Sequence, residues 1–252
     1  MREGGEGRVG VADRTLDVLE AVRDAGTASL PAVAAACGLP LPTVHRMAKA
    51  LIERGYLVAY RRGLCGLGPA CLTLGAGLSL NAMLREAGAA ELKSLARACG
   101  THAHLGVFEG DMVTYLAKAR HGRSELPTTE GTQLEAYCSG IGKVLLAQFE
   151  AAELDRYLGQ GAFVSLTDAT VTDPAALRAL IATARARGWA TDMGEVMPDL
   201  FCVAVPVRDA AGHGVAALSV SYRAPAMAED ELAASLPALR EAAGRIEAKL
   251  FR

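Results

Sequence analysis

From Pro40 onward, apolar residues recur at a helical spacing. Val44, Met47, Ala48 and Leu51 stand at i, i+3, i+4 and i+7, which gathers them into one stripe and turns Thr43, His45, Arg46, Lys49 and Ala50 to the opposite side. Pro40 and Pro42 suit the start of such a helix, because the first-turn amides lack partners anyway, and Gly55 ends it. The pattern predicts a helix over 41–54. Upstream, Ser29 is placed to cap a short helix that reaches Cys37 and breaks at Gly38. Before that, Leu16, Val18, Leu19 and Val22 predict an amphipathic helix with Asp13 as its N-cap and an end near Gly26. Packing helix, helix, tight turn and a helix with a polar basic face make a helix-turn-helix, with 41–54 as the recognition helix. Two short extended runs follow, 56–60 and 64–67, on either side of Arg61-Arg62-Gly63. They predict a hairpin with two cations at its tip, a short wing.

Beyond Pro69 the pattern turns helical, with Leu72, Leu74, Leu78, Leu80 and Met83 in a charge-poor stretch, then Leu84 to Cys99 at helical spacing up to Gly100. Strands are expected at 102–108 and 112–117 across the turn Glu109-Gly110-Asp111, followed by an irregular polar segment over 118–136. Tyr137 to Lys143 opens a helix expected to run through Phe149, and its small residues leave amides open at a positive helix end that suits an anion. Asp173-Pro174 starts a helix that ends at Arg187-Gly188, and 189–192 is extended again. Two strongly patterned strands, 201–207 and 215–221, should pair as a hairpin at the sheet centre, with a last helix over 229–251 packed on them. The fold class is α+β: an N-terminal winged helix-turn-helix and a C-terminal α/β domain with an antiparallel sheet. The expected division is a loose tail over 1–10, a DNA-binding domain over 11–74, a linker over 75–80 and a second domain over 81–252.

Charge sharpens this division. The 252 residues carry a net charge of only −2, yet Gly38 to Gly66 holds Arg46, Lys49, Arg54, Arg61 and Arg62 against Glu53 alone. A cationic patch at one end of an otherwise acidic chain fits double-stranded DNA as partner, through Leu41, Thr43, His45, Arg46 and Lys49 on the helix and Arg61 and Arg62 on the wing. Six cysteines show neither a C-x-x-C pair nor a short-spaced Cys/His set, so reduced thiols, a cytoplasmic setting and no metal site are expected. No apolar run reaches the length of about 18 residues that spans a bilayer, and the first ten residues lack the apolar core of a signal peptide.

Several blocks, in order, carry a resemblance to the IclR-type transcriptional regulators. They are Leu-Pro-x-x-Thr-Val-His-Arg with Glu-Arg-Gly-Tyr-Leu after it (39–57), Leu-Gly-x-x-x-Leu-x-Leu-Gly (67–75) and Ser-Gly-Ile-Gly-Lys (139–143). Thr-Asp-Pro-Ala-Ala-Leu (172–177), Arg-Ala-Arg-Gly-Trp-Ala-x-Asp (185–192), Cys-Val-Ala-x-Pro-Val-Arg-Asp (202–209) and Ala-Ala-Leu-Ser-Val-Ser (216–221) follow. The resemblance covers almost the whole chain. It implies a GAF/PAS-like effector domain behind the winged helix, assembly as a homodimer or homotetramer, and a pocket for a small, carboxylate-bearing effector. Matched residue by residue, that pocket takes Gly140, Ile141, Asp192, Cys202, Ser219 and Ser221, with Leu126 as added lining from the 118–136 segment. Chemistry agrees: Ser219 and Ser221 share one strand face, Cys202 can meet them from the neighbouring strand, and a helix start offers amides. Leu41, Pro42 and Tyr137 depart from the family, which often has a basic residue, a serine and a histidine there.

Other readings compete. A thiol redox sensor would use Cys138 or Cys202, and an enzyme would need a nucleophile with an oriented histidine or a cofactor fingerprint, neither of which is present. An architectural DNA protein would have no use for the large neutral C-terminal part. His102 and His104, two apart on one strand, read as packed histidines rather than metal ligands. No catalytic residue and no cofactor are expected.

Overall fold

The computed structural model describes residues 10–122, 126 and 128–251; most of the expected tail and part of the 118–136 segment lie outside these. The chain forms two compact units that divide between Leu78 and Ser79.

The first unit contains α1 (Val11–Ala25), β1 (Thr27–Ser29), α2 (Leu30–Cys37), α3 (Leu41–Glu53), β2 (Leu57–Ala59), β3 (Leu64–Leu67) and α4 (Pro69–Gly75). Its core is the apolar stripe of α3 (Val44, Met47, Ala48, Leu51) packed against Val18 and Val22 of α1 and Val33 of α2. Ser29 caps α2 by accepting the Ala32 amide, and Gly38 closes that helix with φ 64°, a conformation where a Cβ is disfavoured. Two expectations are corrected here. Asp13 is not the N-cap of α1: the cap is Gly10, and Asp13 reaches back to accept the Gly10 amide at 2.8 Å. The hairpin is also part of a three-stranded sheet, ordered β1-β3-β2, in which three residues before α2 pair antiparallel with β3. Between β2 and β3 the tip is one 3-10 turn, Arg61–Gly63, in which Arg62 has φ 67° and Gly63 φ 73°.

The second unit has a six-stranded, wholly antiparallel sheet ordered β6-β5-β4-β9-β8-β7. Its strands are β4 (His102–Glu109), β5 (Met112–Ala119), β6 (Gln133–Glu135), β7 (Ala190–Met193), β8 (Leu200–Arg208) and β9 (Gly214–Arg223). One face buries Leu105, Val203, Val205, Leu218 and Val220 beneath α5 (Leu80–Cys99) and α10 (Leu236–Leu250). The other packs Val113, Tyr115, Ala204 and Ala217 against α6 (Gly140–Leu146), α7 (Ala151–Leu158) and α8 (Pro174–Arg187). The β8–β9 hairpin forms as expected, with β9 rather than the pair at the middle beside β4. The 118–136 segment is less irregular than its sequence suggests, since β5 continues to Ala119 and Gln133–Glu135 adds an edge strand. α6 stops at Leu146, three residues short of Phe149. The last helix is broken into α9 (Glu229–Ala233) and α10, because Pro237 has no amide to give to the preceding turn.

Candidate functional site

On the first unit, the side of α3 opposite its core stripe exposes Leu41, His45, Arg46 and Lys49, with Thr43 half-buried. Arg61 and Arg62 are exposed at the wing tip. Lys49 makes only a loose 3.8 Å pair with Glu53, exposed on both sides and so worth little energetically. The helix thus presents one hydroxyl, one imidazole and two cations on one face, the chemistry that meets base edges and phosphates in a major groove.

The second unit holds a cavity of about 190 Å³ between the sheet and the start of α6. Sheet register builds its floor. Asp192 on β7 pairs with Cys202 on β8, and Cys202 pairs with Ser221 on β9, so these three side chains stand in one cross-strand row. One step along, Ser219 pairs with His104 on β4. The roof brings Gly140 and Ile141 from the first turn of α6, and Leu126 enters from the segment before β6. The six residues matched from the sequence and Leu126, the added lining, all border this one cavity. Cys138 does not: it is buried two residues before α6, with its thiol 3.8 Å from the Glu135 carbonyl.

Sequence reasoning missed the far wall. His104, Tyr115, Thr128 and Thr132 supply polar groups there, and Leu134, Val196, Met197 and Leu200 supply apolar surface. The alternation of His102 and His104 was the available signal, but assigning it to this wall needs the β4–β9 pairing, which joins residues 115 positions apart in the chain. A bulge between β4 and β5 at Leu105/Gly106 then brings Tyr115 opposite Gly106. Its ring lies 5.1 Å from that of His104.

Three hydrogen bonds run along the wall. The Cys202 thiol donates to Ser221 Oγ at 3.1 Å, Ser221 Oγ lies 3.4 Å from His104 Nδ1, and His104 Nε2 lies 2.9 Å from Thr128 Oγ1. With the thiol donating, the serine hydrogen goes to Nδ1, which places the ring hydrogen on Nε2 and directs it at Thr128. Burial, with help from the Lys118 ammonium and His102, holds His104 down at about 3, so its ring is neutral. Burial likewise raises the Cys202 thiol and the Tyr115 phenol well above their ordinary values.

A charged layer positions Asp192. Lys143, buried on α6, is paired with Glu195 and donates to the Thr191 carbonyl at 2.9 Å, and the Glu195 amide donates to Asp192 Oδ1 at 2.7 Å. Asp192 itself is 1 % exposed. Burial raises its carboxyl to about 7, against the opposite pull of the Glu195 amide and Lys143. Ser139 caps α6 by accepting the Gly142 amide at 3.0 Å, and Gly142 must be glycine because a Cβ would overlap the Ala136 backbone. The Gly140 and Ile141 amides remain at the open end of that turn, beside the cavity. Among the described residues, no group of three or more His, Cys, Asp and Glu could hold a metal ion, and no helix is long and apolar enough to cross a membrane.

The family models agree with this two-part construction: the IclR helix-turn-helix domain matches residues 11–59, and the bacterial transcriptional regulator IclR C-terminal domain matches residues 79–248. The chain belongs to the IclR family of transcriptional regulators. It is 33% identical over 239 residues to the HTH-type transcriptional regulator BhcR of Paracoccus denitrificans, covering 94% of this chain and 86% of that protein. It is 31% identical over 196 residues to the Pca regulon regulatory protein of Pseudomonas putida, covering 77% of this chain and 67% of that one. An IclR homologue from Microbacterium hydrocarbonoxydans, crystallised in complex with 4-hydroxybenzoate, superimposes with a TM-score of 0.62 at 26% identity, covering 96% of this chain and 99% of that one. The IclR-type helix-turn-helix and antiparallel effector-type sheet are thus both present in one chain.

Proposed function

We propose that this IclR-type regulator is switched by a small organic acid held in the second-unit cavity, and that occupancy of the cavity changes its affinity for an operator. The observation that carries this reading is the cavity itself: a hollow with apolar walls on which Ser219, Ser221, His104, Asp192 and the α6 amides converge. The structural relative that holds 4-hydroxybenzoate supports the choice of an acid. On DNA, Arg46, Lys49, Arg61 and Arg62 contact phosphates, while Thr43, His45 and Leu41 meet base edges in the major groove. The regulator works in the cytoplasm as a homodimer or homotetramer, with recognition helices paired on a pseudo-palindromic operator. Exposed apolar side chains support self-association: Leu72, Leu74 and Leu78 are 80, 69 and 70 % exposed, and Val11 and Leu16 also face out.

For the ligand to switch transcription it must bind one arrangement of the assembly more tightly than another. A coupling of about 1–3 kcal/mol changes operator affinity by roughly five- to 150-fold. The test is a thermal-shift screen of small carboxylic acids on the full chain. An effector at 100 times its Kd stabilises the unit that binds it by about 2.7 kcal/mol. A library of acids that leaves the melting temperature unchanged contradicts the reading.

A further inference from the structure

The charges beside Asp192 do not balance for an acidic ligand. Among the described residues no lysine or arginine lines it, and its one formally charged lining side chain is the carboxyl of Asp192. Two cations stand behind the lining: buried Lys143 is turned to Glu195 and the Thr191 carbonyl, and half-buried Lys118 donates to the Leu126 and Thr128 carbonyls on the far wall, where it acts on His104 rather than on Asp192. Counting Asp192, Glu195 and Lys143 as ionised leaves one negative charge in excess at this end of the cavity, and the second oxygen of Glu195 is buried without a hydrogen-bond partner. A carboxylate entering here doubles that excess in a region where like charges cost several kcal/mol. A proton taken up with the ligand removes the conflict and turns Asp192 into a donor.

We propose that the cavity admits monocarboxylic acids together with one proton shared between the ligand and Asp192, and turns dicarboxylates away. The inference rests on the reading of the cavity as an acid site and names the class of acid that fits it.

The groups facing Asp192 support a proton at that position. Lys143 from α6 and the Glu195 and Val196 amides favour the ionised form; Glu195 itself opposes it, as does burial, while Cys138 before α6 and Cys202 from β8 stand by as uncharged thiols. Tyr115 from β5 and His104 from β4 complete the surroundings, both uncharged. The balance leaves Asp192 near neutrality at about 7, poised to gain a proton when a second carboxylate arrives. The side chains of Leu126, Ile141, Val196 and Met197 are apolar, and the Lys118 ammonium behind that wall is directed at the Leu126 and Thr128 carbonyls, so a second carboxylate meets apolar surface.

The full chain is tested by calorimetry with a panel of aliphatic and aromatic monocarboxylates. The panel includes 4-nitrobenzoate against terephthalate, which differ by a neutral isostere of one carboxylate, and butyrate against succinate. Titrations at pH 6, 7 and 8 in buffers of different ionisation heat give the number of protons taken up. The expected result is uptake close to one proton at pH 8, affinity about tenfold tighter at pH 6 than at pH 8, and terephthalate at least about tenfold weaker than 4-nitrobenzoate. Asp192→Asn should bind monocarboxylates with no proton uptake and no pH dependence. Monocarboxylate binding without proton uptake, or a dicarboxylate bound as tightly as its neutral partner, overturns the inference and leaves the acid site standing. If no acid in the panel binds while the chain still binds promoter DNA, the acid site and the inference fall together.

Discussion

Cys202 and Ser221 face each other at directly paired positions of β8 and β9, the thiol donating to the hydroxyl at 3.1 Å. The bond commits the sulfur to a structural role on the cavity wall. Burial and nearby Asp192 push that thiol far above its ordinary value, and burial takes Cys138 up to about 12, so neither forms the thiolate that alkylation or peroxide sensing requires. Alkylation of the folded chain at pH 8, followed by peptide mapping, should label the half-buried Cys37 and Cys71 well before Cys138 and Cys202. Early labelling of Cys202 would restore the redox reading.

Arg46 and Arg62 stand on different elements, one on the recognition helix and one at the wing tip, and both are exposed. If each neutralises one phosphate, Arg46→Ala and Arg62→Ala should each weaken binding to all DNA sequences and lower the salt slope of log K by about 1. Fluorescence anisotropy over a salt series measures this. An unchanged slope removes that contact.

Lys143 and Glu195 form a buried pair that ties α6 to the turn after β7. Removing only one partner strands the other charge, so Lys143→Met should cost about 3–5 kcal/mol in urea unfolding. Replacing both, Lys143→Met with Glu195→Leu, should recover much of that loss. A double variant no more stable than the single one would show that the pair contributes by packing rather than by charge.

The first unit was legible because its order rests on local signals: the α3 stripe, the Ser29 cap and the glycine and proline positions. The error at Asp13 was one of register, since an acidic residue serves equally as cap or as the residue three beyond it. Strands β1 and β6 have three residues each, too few to show alternation, and are held by partners distant in sequence. The same limit shaped the cavity. Its floor came from residues on neighbouring strands of a hairpin and its roof from a helix start, both visible locally, whereas His104, Tyr115 and Thr128 reach it through the β4–β9 pairing and the bulge in β4–β5.

Two buried groups give stability opposite pH slopes. Asp192 is raised to about 7 when folded, so between its ordinary value near 4 and pH 7 the folded chain holds a proton that the unfolded chain has lost. Stability from this group therefore declines as pH rises through that window, and the cost is complete above it. His104 is held at about 3, so the unfolded chain gains a proton below about 6.5 that the folded chain refuses, and stability declines as pH falls. Asp192→Asn, which keeps an acceptor for the Glu195 amide, should be more stable than the parent at pH 8, by a few kcal/mol at most, with the gap closing toward pH 4. His104→Gln should lose less stability than the parent between pH 6.5 and pH 4. Urea midpoints across pH check both slopes, and a gap for Asp192→Asn that does not vary with pH would contradict the assignment.

The central claim is that a DNA-gripping unit answers to a cavity in a separate unit of the same chain. Anisotropy titration of promoter fragments against random duplex, with and without an acid that binds the chain, tests it in one measurement, with Ser219→Ala beside the parent. The account predicts preference for a promoter fragment, a roughly five- to 150-fold change on adding the acid, and a Ser219→Ala chain that keeps the preference but loses the change. Equal affinity for both duplexes, or a Ser219→Ala chain that still responds in full, would contradict it.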